Sequence, residues 1–345
     1  MHCSVYIGRI IFILISIGLA GTTLLTGCQP DNTKKVVVYT SVDQVFSEPI
    51  LKLFEKETGI RVLPVYDVEA AKTTGIVNRL ITEKNRPQAD VFWNCEFVQT
   101  LLLKENGVLA SYRSPKAADI PAQYVDPQGY WTGFAGRARV LLVNTRLVAP
   151  ADYPVSMFDL VSGKYPGKQI GIAYPVFGST ATEAAALYAL LGQEKGRAFY
   201  QQLYNRGVRV VDGISVVRNL VSSGQIMMGL VDTDDACGAI KEGSPVAMDF
   251  LGQNDLGTLI IPNTVAMIAG STHPDEAKAF IDFLLSHEVA NLLVASGWSH
   301  IPLRPVDTRS NCLINPNVKG MNVSLVDVYS QLQQSQKDLS EIYLK

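Results

Sequence analysis

Three carboxylates crowd into four residues at Asp232, Asp234 and Asp235, with Thr233 between them, directly after the apolar run Ile226–Val231. Carboxylates this close repel one another, which favours a cation or a hydrogen-bond donor on a ligand beside them. The other explanation is a helix start with acids in its first turn, worth about 0.3–1 kcal/mol each through the helix dipole. Gly178-Ser179-Thr180 opens a second helix-like segment, where unpaired backbone N–H groups attract an anion. A capping box between Thr180 and Glu183 would satisfy the same groups internally. Arg137 and Arg139 alternate on one face of a long apolar strand, and their guanidinium forks suit a carboxylate or phosphate. One of the two, Arg137, is assigned to the ligand, because a nearby Asp can engage the other as a structural pair.

The elements that position these residues follow from periodicity. Val36–Tyr39, Ile60–Val65 and Ala89–Phe92 read as strands, alternating with helices over Ser47–Thr58, Lys72–Lys84 and Phe97–Glu105. A long strand over Gly133–Asn144 interrupts that alternation. It resumes with strands at Gln169–Ala173, Val208–Val211 and Ile226–Val231 and helices at Thr180–Leu191, Lys195–Arg206, Val216–Ser222 and Asp234–Lys241. Leu259–Ile268 is a further strand and Pro274–Leu285 a further helix. This is an α/β chain of two lobes, each a sheet flanked by helices. Ligands of open α/β sheets bind beyond the carboxyl ends of strands. That rule selects Ser41, Asp43, Trp93 and Asn94 in the first lobe, and Gly178, Ser179, Thr180, Ser215, Asp232, Thr233, Asp234 and Asp235 in the second.

Of 345 residues, 47% are hydrophobic, and 30 basic against 32 acidic side chains leave a formal charge of −2, which excludes a disordered chain and a nucleic-acid binder driven by bulk positive charge. No Gly-x-Ser-x-Gly elbow, Walker loop, Gly-x-Gly-x-x-Gly or His-x-x-x-His pair is present, so no enzyme is expected. A pair such as Asp43 with Asp235 acting as acid and base is the competing, enzymatic reading. Arg9, the apolar run Ile10–Ala20 and Leu25-Thr26-Gly27-Cys28 describe an export signal over residues 1–27. Residues 28–35 then form a linker. Cys95, Cys237 and Cys312 are too few and too widely spaced for a disulfide scaffold; an oxidising compartment would allow one bridge, and three buried thiols are expected.

Six segments carry a family resemblance in order along the chain: Val38-Tyr39-Thr40-Ser41, Leu53-Phe54-Glu55 with Thr58-Gly59-Ile60, Ala89-Asp90-Val91-Phe92-Trp93, Gly136-Arg137-Ala138-Arg139-Val140, Val211-Asp212-Gly213 with Ser215-Val216-Val217, and Ile261-Pro262-Asn263-Thr264-Val265-Ala266. They resemble the extracellular solute-binding proteins of ABC importers, in the ferric-iron-binding branch. The resemblance implies a type II periplasmic binding protein fold, with lobe 1 from residues 36–135 and 265–345, lobe 2 from 136–264, and hinge strands between them. It implies a monomer that delivers a solute to a membrane permease. Separately, Leu25-Thr26-Gly27-Cys28 resembles the bacterial lipobox, which implies lipidation at Cys28 and tethering to a bacterial membrane on its periplasmic or outer side, the alternative being an uncleaved membrane anchor. Ferric-binding members use a His, a Glu and a Tyr-Tyr pair with phosphate or carbonate as synergistic anion. The matching positions here fall near Asp43, at Glu96 and at Asp234-Asp235, so the resemblance implies Fe(III) held by hard carboxylates. The alternative is a phosphorylated or phosphonate solute, with its anion on Gly178-Ser179-Thr180 and Arg137 and an amine toward Asp234 and Asp235.

Overall fold

The computed structural model describes residues 34–66, 74–308, 312 and 318–344. The expected export signal (1–27) and the lipidation residue Cys28 lie outside the described residues. The described residues form a ten-stranded sheet: β1 (Lys35–Thr40), β2 (Arg61–Tyr66), β3 (Val91–Asn94), β4 (Leu109–Ala110), β5 (Thr132–Asn144), β6 (Ile170–Ala173), β7 (Arg209–Val211), β8 (Met228–Asp232), β9 (Val246–Asp249) and β10 (Ile260–Ile268). The helices are α1 (Gln44–Thr58), α2 (Thr74–Thr82), α3 (Val98–Glu105), α4 (Gly178–Leu191), α5 (Gln193–Asn205), α6 (Ile214–Ser222), α7 (Thr233–Lys241), α8 (Pro274–Leu284), α9 (His287–Ser296) and α10 (Leu325–Tyr343). Among them no single helix is long and apolar enough to cross a membrane.

The strand order is β2-β1-β3-β10-β5-β8-β6-β7, with β4 on β10 and β9 on β5. β1, β2 and β3 run parallel, as do β6, β7 and β8, which is the βαβ pattern at each end. β10 and β5 run antiparallel between these blocks and make the sheet mixed. β5 pairs with β10 over Thr132–Ala138, then with β8 and β9 over Arg139–Asn144. The change of partner falls at Arg139, so β5 is shared by the two halves of the sheet.

Local chemistry explains the flanking helices. α1 turns Ser47, Ile50, Leu51 and Phe54 inward at helical spacing and stops at Gly59, whose φ of 69° lets its N–H reach Glu55 O. It starts one turn before the expected Ser47, with Pro49 inside, and Ser47 Oγ bonds back to Asp43 O at 3.1 Å. α8 begins with Pro274 and two acids and buries Ala277, Phe280, Ile281 and Leu284. Phe280 meets Phe54 edge-on at 5.1 Å. α4 is buried on nearly every side and rich in alanine, because α10 packs along it opposite the sheet. α10 also packs on α5, and touches the first half through α3, so the last helix does not follow the expected assignment of residues 265–345 to lobe 1.

Two buried linkages hold the second half. Arg139, 3% exposed, places Nη1 2.7 Å from Asp232 Oδ1 and Nη2 3.3 Å from Glu183 Oε2 on α4, so β5, β8 and α4 meet on one guanidinium. Cys237 on α7 is bridged to Cys312, with Cα atoms 5.6 Å apart across 75 residues. The expectation of three buried thiols is thus corrected. Spacing alone could not pair these two, since Cys312 belongs to no helix or strand. Cys95 is buried and outside the bridge.

Two stability outcomes follow. The bridge should contribute about 2–4 kcal/mol. Calorimetry should therefore show a lower unfolding midpoint for the wild type in reductant, and a Cys237→Ser variant that reductant no longer affects; an unaffected wild type would refute the linkage. Arg139→Met should cost about 3–5 kcal/mol in urea titration, because it strands two buried carboxylates, whereas the more exposed Arg137→Met should cost far less.

Candidate functional site

A cleft of ≈ 370 Å³ opens between the halves of the sheet, lined by Cys95, Glu96, Val98 and Gln99, by Arg137 and Ile261, by Gly178, Ser179, Ala181 and Thr182, and by Leu332 and Gln336. It draws on the β3–α3 turn, the two central strands, the start of α4 and the middle of α10. Small-molecule pockets run from about 300 to 1,000 Å³, so this one suits a compact organic solute.

Its second-half wall is built for an anion. α4 starts at Gly178, with Phe177 as an extended N-cap whose carbonyl takes the first internal bond, from Ala181 N. The N–H groups of Gly178, Ser179 and Thr180 come before that bond and have no acceptor among the described residues. Gly178 has a φ of +54° with nothing within 4 Å of where a Cβ would stand, so glycine both permits the turn and leaves the N–H groups approachable. The expected Thr180–Glu183 capping box does not form, because Glu183 is engaged by Arg139.

Asp232 organises this wall. Oδ1 accepts from Arg139, Oδ2 accepts from Ser179 Oγ at 2.7 Å, and Arg137 Nε stands 3.4 Å from Oδ2 without hydrogen-bond alignment. Burial pushes the Asp232 carboxyl upward, but the Arg139 and Arg137 guanidinium groups outweigh it and hold the group below the usual range. Arg137 lines the cleft with no hydrogen-bond partner among the described residues. Of the two arginines, Arg139 is structural and Arg137 faces the solute space.

On the opposite wall, Glu96 accepts from Val98 N at 2.6 Å and from Gln99 N at 2.9 Å, capping α3. Burial raises its carboxyl, against those two bonds and the Arg137 charge. Ser41 and Asn94 lie beneath this turn. Ser41 Oγ donates to Asn94 Oδ1 at 2.6 Å and accepts from Cys95 N, and Asn94 Nδ2 donates to Glu96 O. They shape the turn without lining the cleft. Trp93 is fully buried with Phe134 at 6.0 Å, because its place in the strand alternation points it into the core.

The remaining expected residues are not brought to the cleft. Asp43 occupies the N-cap of α1, Thr180 in the first turn of α4 is 1% exposed and does not line the cleft, and Ser215 is exposed on α6. Thr233 Oγ1 is taken by Ala138 N at 3.2 Å. Asp234, exposed, and Asp235, half-buried, form the first turn of α7 and do not line the cleft. The proposed metal set of Asp43, Glu96, Asp234 and Asp235 is therefore dispersed. Among the described residues no three His, Cys, Asp or Glu side chains gather for a metal ion. The strand-end rule passed over Gln99 and Thr182, which follow cleft residues by one helical turn, and Leu332 and Gln336, which carry no sequence signal of a site.

Residues 87–318 match the family described as bacterial extracellular solute-binding protein. The chain is 30% identical over 266 residues to a probable ABC transporter periplasmic-binding protein of Sinorhizobium fredii, covering 73% of this chain and 71% of that protein. It is 27% identical over 263 residues to a putative 2-aminoethylphosphonate-binding periplasmic protein of Salmonella typhimurium, covering 75% and 74%. A Trichodesmium protein solved in complex with iron and citrate has the same fold, with a TM-score of 0.81 at 20% identity over 90% of this chain and all of that one. The chain belongs to the bacterial extracellular solute-binding proteins, the periplasmic binding components of ABC importers.

Proposed function

We propose that this protein captures a small solute bearing a phosphonate or phosphate-ester group in the cleft between its lobes and delivers it to its membrane permease, tethered by a lipid on Cys28. The observation that carries the reading is one cleft lined by both the Arg137 guanidinium and the open N-terminus of α4, with Ser179 fixed by Asp232. Arg137 lies two residues before the point where β5 passes from one sheet to the other, so an anion held there would bias closure of lobe 2 on lobe 1. The named ligand of the Salmonella relative has this chemistry.

Ferric iron with a synergistic anion is the second reading, favoured by Glu96 lining the same cleft as the anion wall. Its weakness is donor supply. Both oxygens of Glu96 already accept backbone N–H groups, and Asp234 and Asp235 lie on a helix turn outside the cleft.

Calorimetric titration with 2-aminoethylphosphonate, methylphosphonate and chelated Fe(III), with and without phosphate, separates the two. Phosphonate binding should weaken roughly 10- to 150-fold in Arg137→Met. Heat and a visible charge-transfer band on adding Fe(III), with none from phosphonates, would overturn the proposal. Asp235 supplies a second check. Burial, then the Asp234 and Asp232 charges, push its carboxyl up to about 7 from 3.8. Between those values the folded protein holds a proton the unfolded chain has released, so this group's contribution to stability falls as pH rises from about 4 to about 7. Asp235→Asn should therefore raise the unfolding midpoint at pH 8, leave it little changed at pH 4, and retain phosphonate affinity. Lost affinity would return Asp235 to the site.

A further inference from the structure

α10 contributes to the cleft by one face alone. Val328, Ser335, Leu339 and Ile342 are buried in the body of the protein. Asp338 is held by Gln193 Nε2 at 3.0 Å, Gln334 Nε2 at 2.8 Å and Arg197 Nη1 at 3.3 Å, and Tyr343 Oη donates to Tyr200 O at 2.7 Å. These contacts fix the carboxyl-terminal half of the helix on α4 and α5. Tyr329, Leu332 and Gln336, at i, i+3 and i+7, form a different stripe. Tyr329 Oη reaches across to Glu105 on α3 at 2.7 Å, and Leu332 and Gln336 line the cleft.

Gln336 is the informative member. Its Nε2 donates to Val176 O at 2.9 Å, and since a carbonyl can only accept, the amide orientation is fixed. Val176 lies just before the residues that open α4. Oε1 of Gln336 is left with no hydrogen-bond partner among the described residues, on a side chain that lines the cleft. An acceptor held by its own nitrogen beside an apolar Leu332 surface fits a short alkyl chain ending in a donor.

We infer that α10 is the specificity wall of the cleft: Gln336 Oε1 accepts a hydrogen bond from an amine or hydroxyl on the solute, and Leu332 packs on the methylenes joining that donor to the anion. This rests on the phosphonate reading above and narrows it to solutes with an anion at one end and a donor at the other. Gln336 would then be a ligand contact, not just a support for the Val176 turn.

The test compares three probes by calorimetry, methylphosphonate, ethylphosphonate and 2-aminoethylphosphonate, on wild type, Gln336→Leu and Leu332→Ala, each checked for an intact thermal transition. The wild type should prefer 2-aminoethylphosphonate to ethylphosphonate. Gln336→Leu should reduce that preference roughly tenfold while leaving ethylphosphonate affinity within about twofold. Leu332→Ala should weaken both two-carbon probes more than methylphosphonate. A uniform loss across all three probes in Gln336→Leu would mean that the residue only positions the Val176 turn, and an unchanged preference would mean that it does not meet the solute. Either result overturns the inference while the phosphonate reading stands. A wild type that binds none of the three overturns both.

Discussion

Arg139 between Asp232 and Glu183 is the interaction on which the site depends. It lies where β5 exchanges β10 for β8, so the sheet, the end of β8 and the body of α4 are joined through one planar cation. Three charges have been removed from water there, and a lysine could not serve both carboxylates with the same fork. What this geometry secures is Asp232, whose second oxygen fixes Ser179 at the mouth of α4 and faces Arg137. The buried triad thus sets the position of the anion wall while keeping Arg139 itself out of the cleft. Arg137, two residues away on the same strand face, stands 3.4 Å from Oδ2 of the shared aspartate, whose Oδ1 is taken by Arg139.

Much of this architecture was legible in the sequence, and the failures have a common cause. Alternating strands and helices identified both parallel blocks, and the long Gly133–Asn144 segment announced the shared strand. The strand-end rule found Gly178 and Ser179 but overreached at their neighbours, because it names positions in the chain and not the direction of side chains; Glu96 came from the family resemblance. Trp93 alternates into the core, and Thr180 is rotated away from the cleft by the 100° step of a helix. Ser41 and Asn94 were found for the wrong reason. They are polar because they hold the Cys95–Glu96 turn through buried hydrogen bonds.

The C-terminal helix escaped for a different reason. Its buried stripe is interrupted by Ser335 and Asp338, polar residues that break the apolar periodicity by which a helix is read. Asp338 is buried only because Gln193, Gln334 and Arg197 come to it, and no local pattern reveals partners more than a hundred residues away such as Arg197. The Cys237–Cys312 bridge is invisible in the same way. Long-range contacts, polar in one case and covalent in the other, determine both features, whereas hydrophobic period reports only what a segment does locally.

The charge balance of the cleft bears on the kind of anion it would take. Arg137 and Arg139 are opposed by Asp232 and Glu183, and Glu96 adds a carboxylate on the facing wall, so the ionised side chains leave no net positive charge for a ligand. Any attraction for an anion would come from direction: N–H groups at the start of α4 and Arg137 nitrogens that find no hydrogen-bond partner among the described residues, and the partial positive charge of that helix end. Under the phosphonate proposal, such a site would hold the anion locally yet would not favour adding two negative charges to the cleft as a whole. A solute that brings its own cation would relieve the conflict, since its ammonium would compensate the anion beside Glu96 and the proposed Gln336 acceptor. Burial, which raises the Glu96 carboxyl, penalises that carboxylate while the cleft is empty, and a nearby ammonium would remove part of the penalty. On the phosphonate reading, a cleft without net positive charge would favour zwitterions over bare dianions, through the same compensation that keeps Asp232 and Arg139 stable inside the protein.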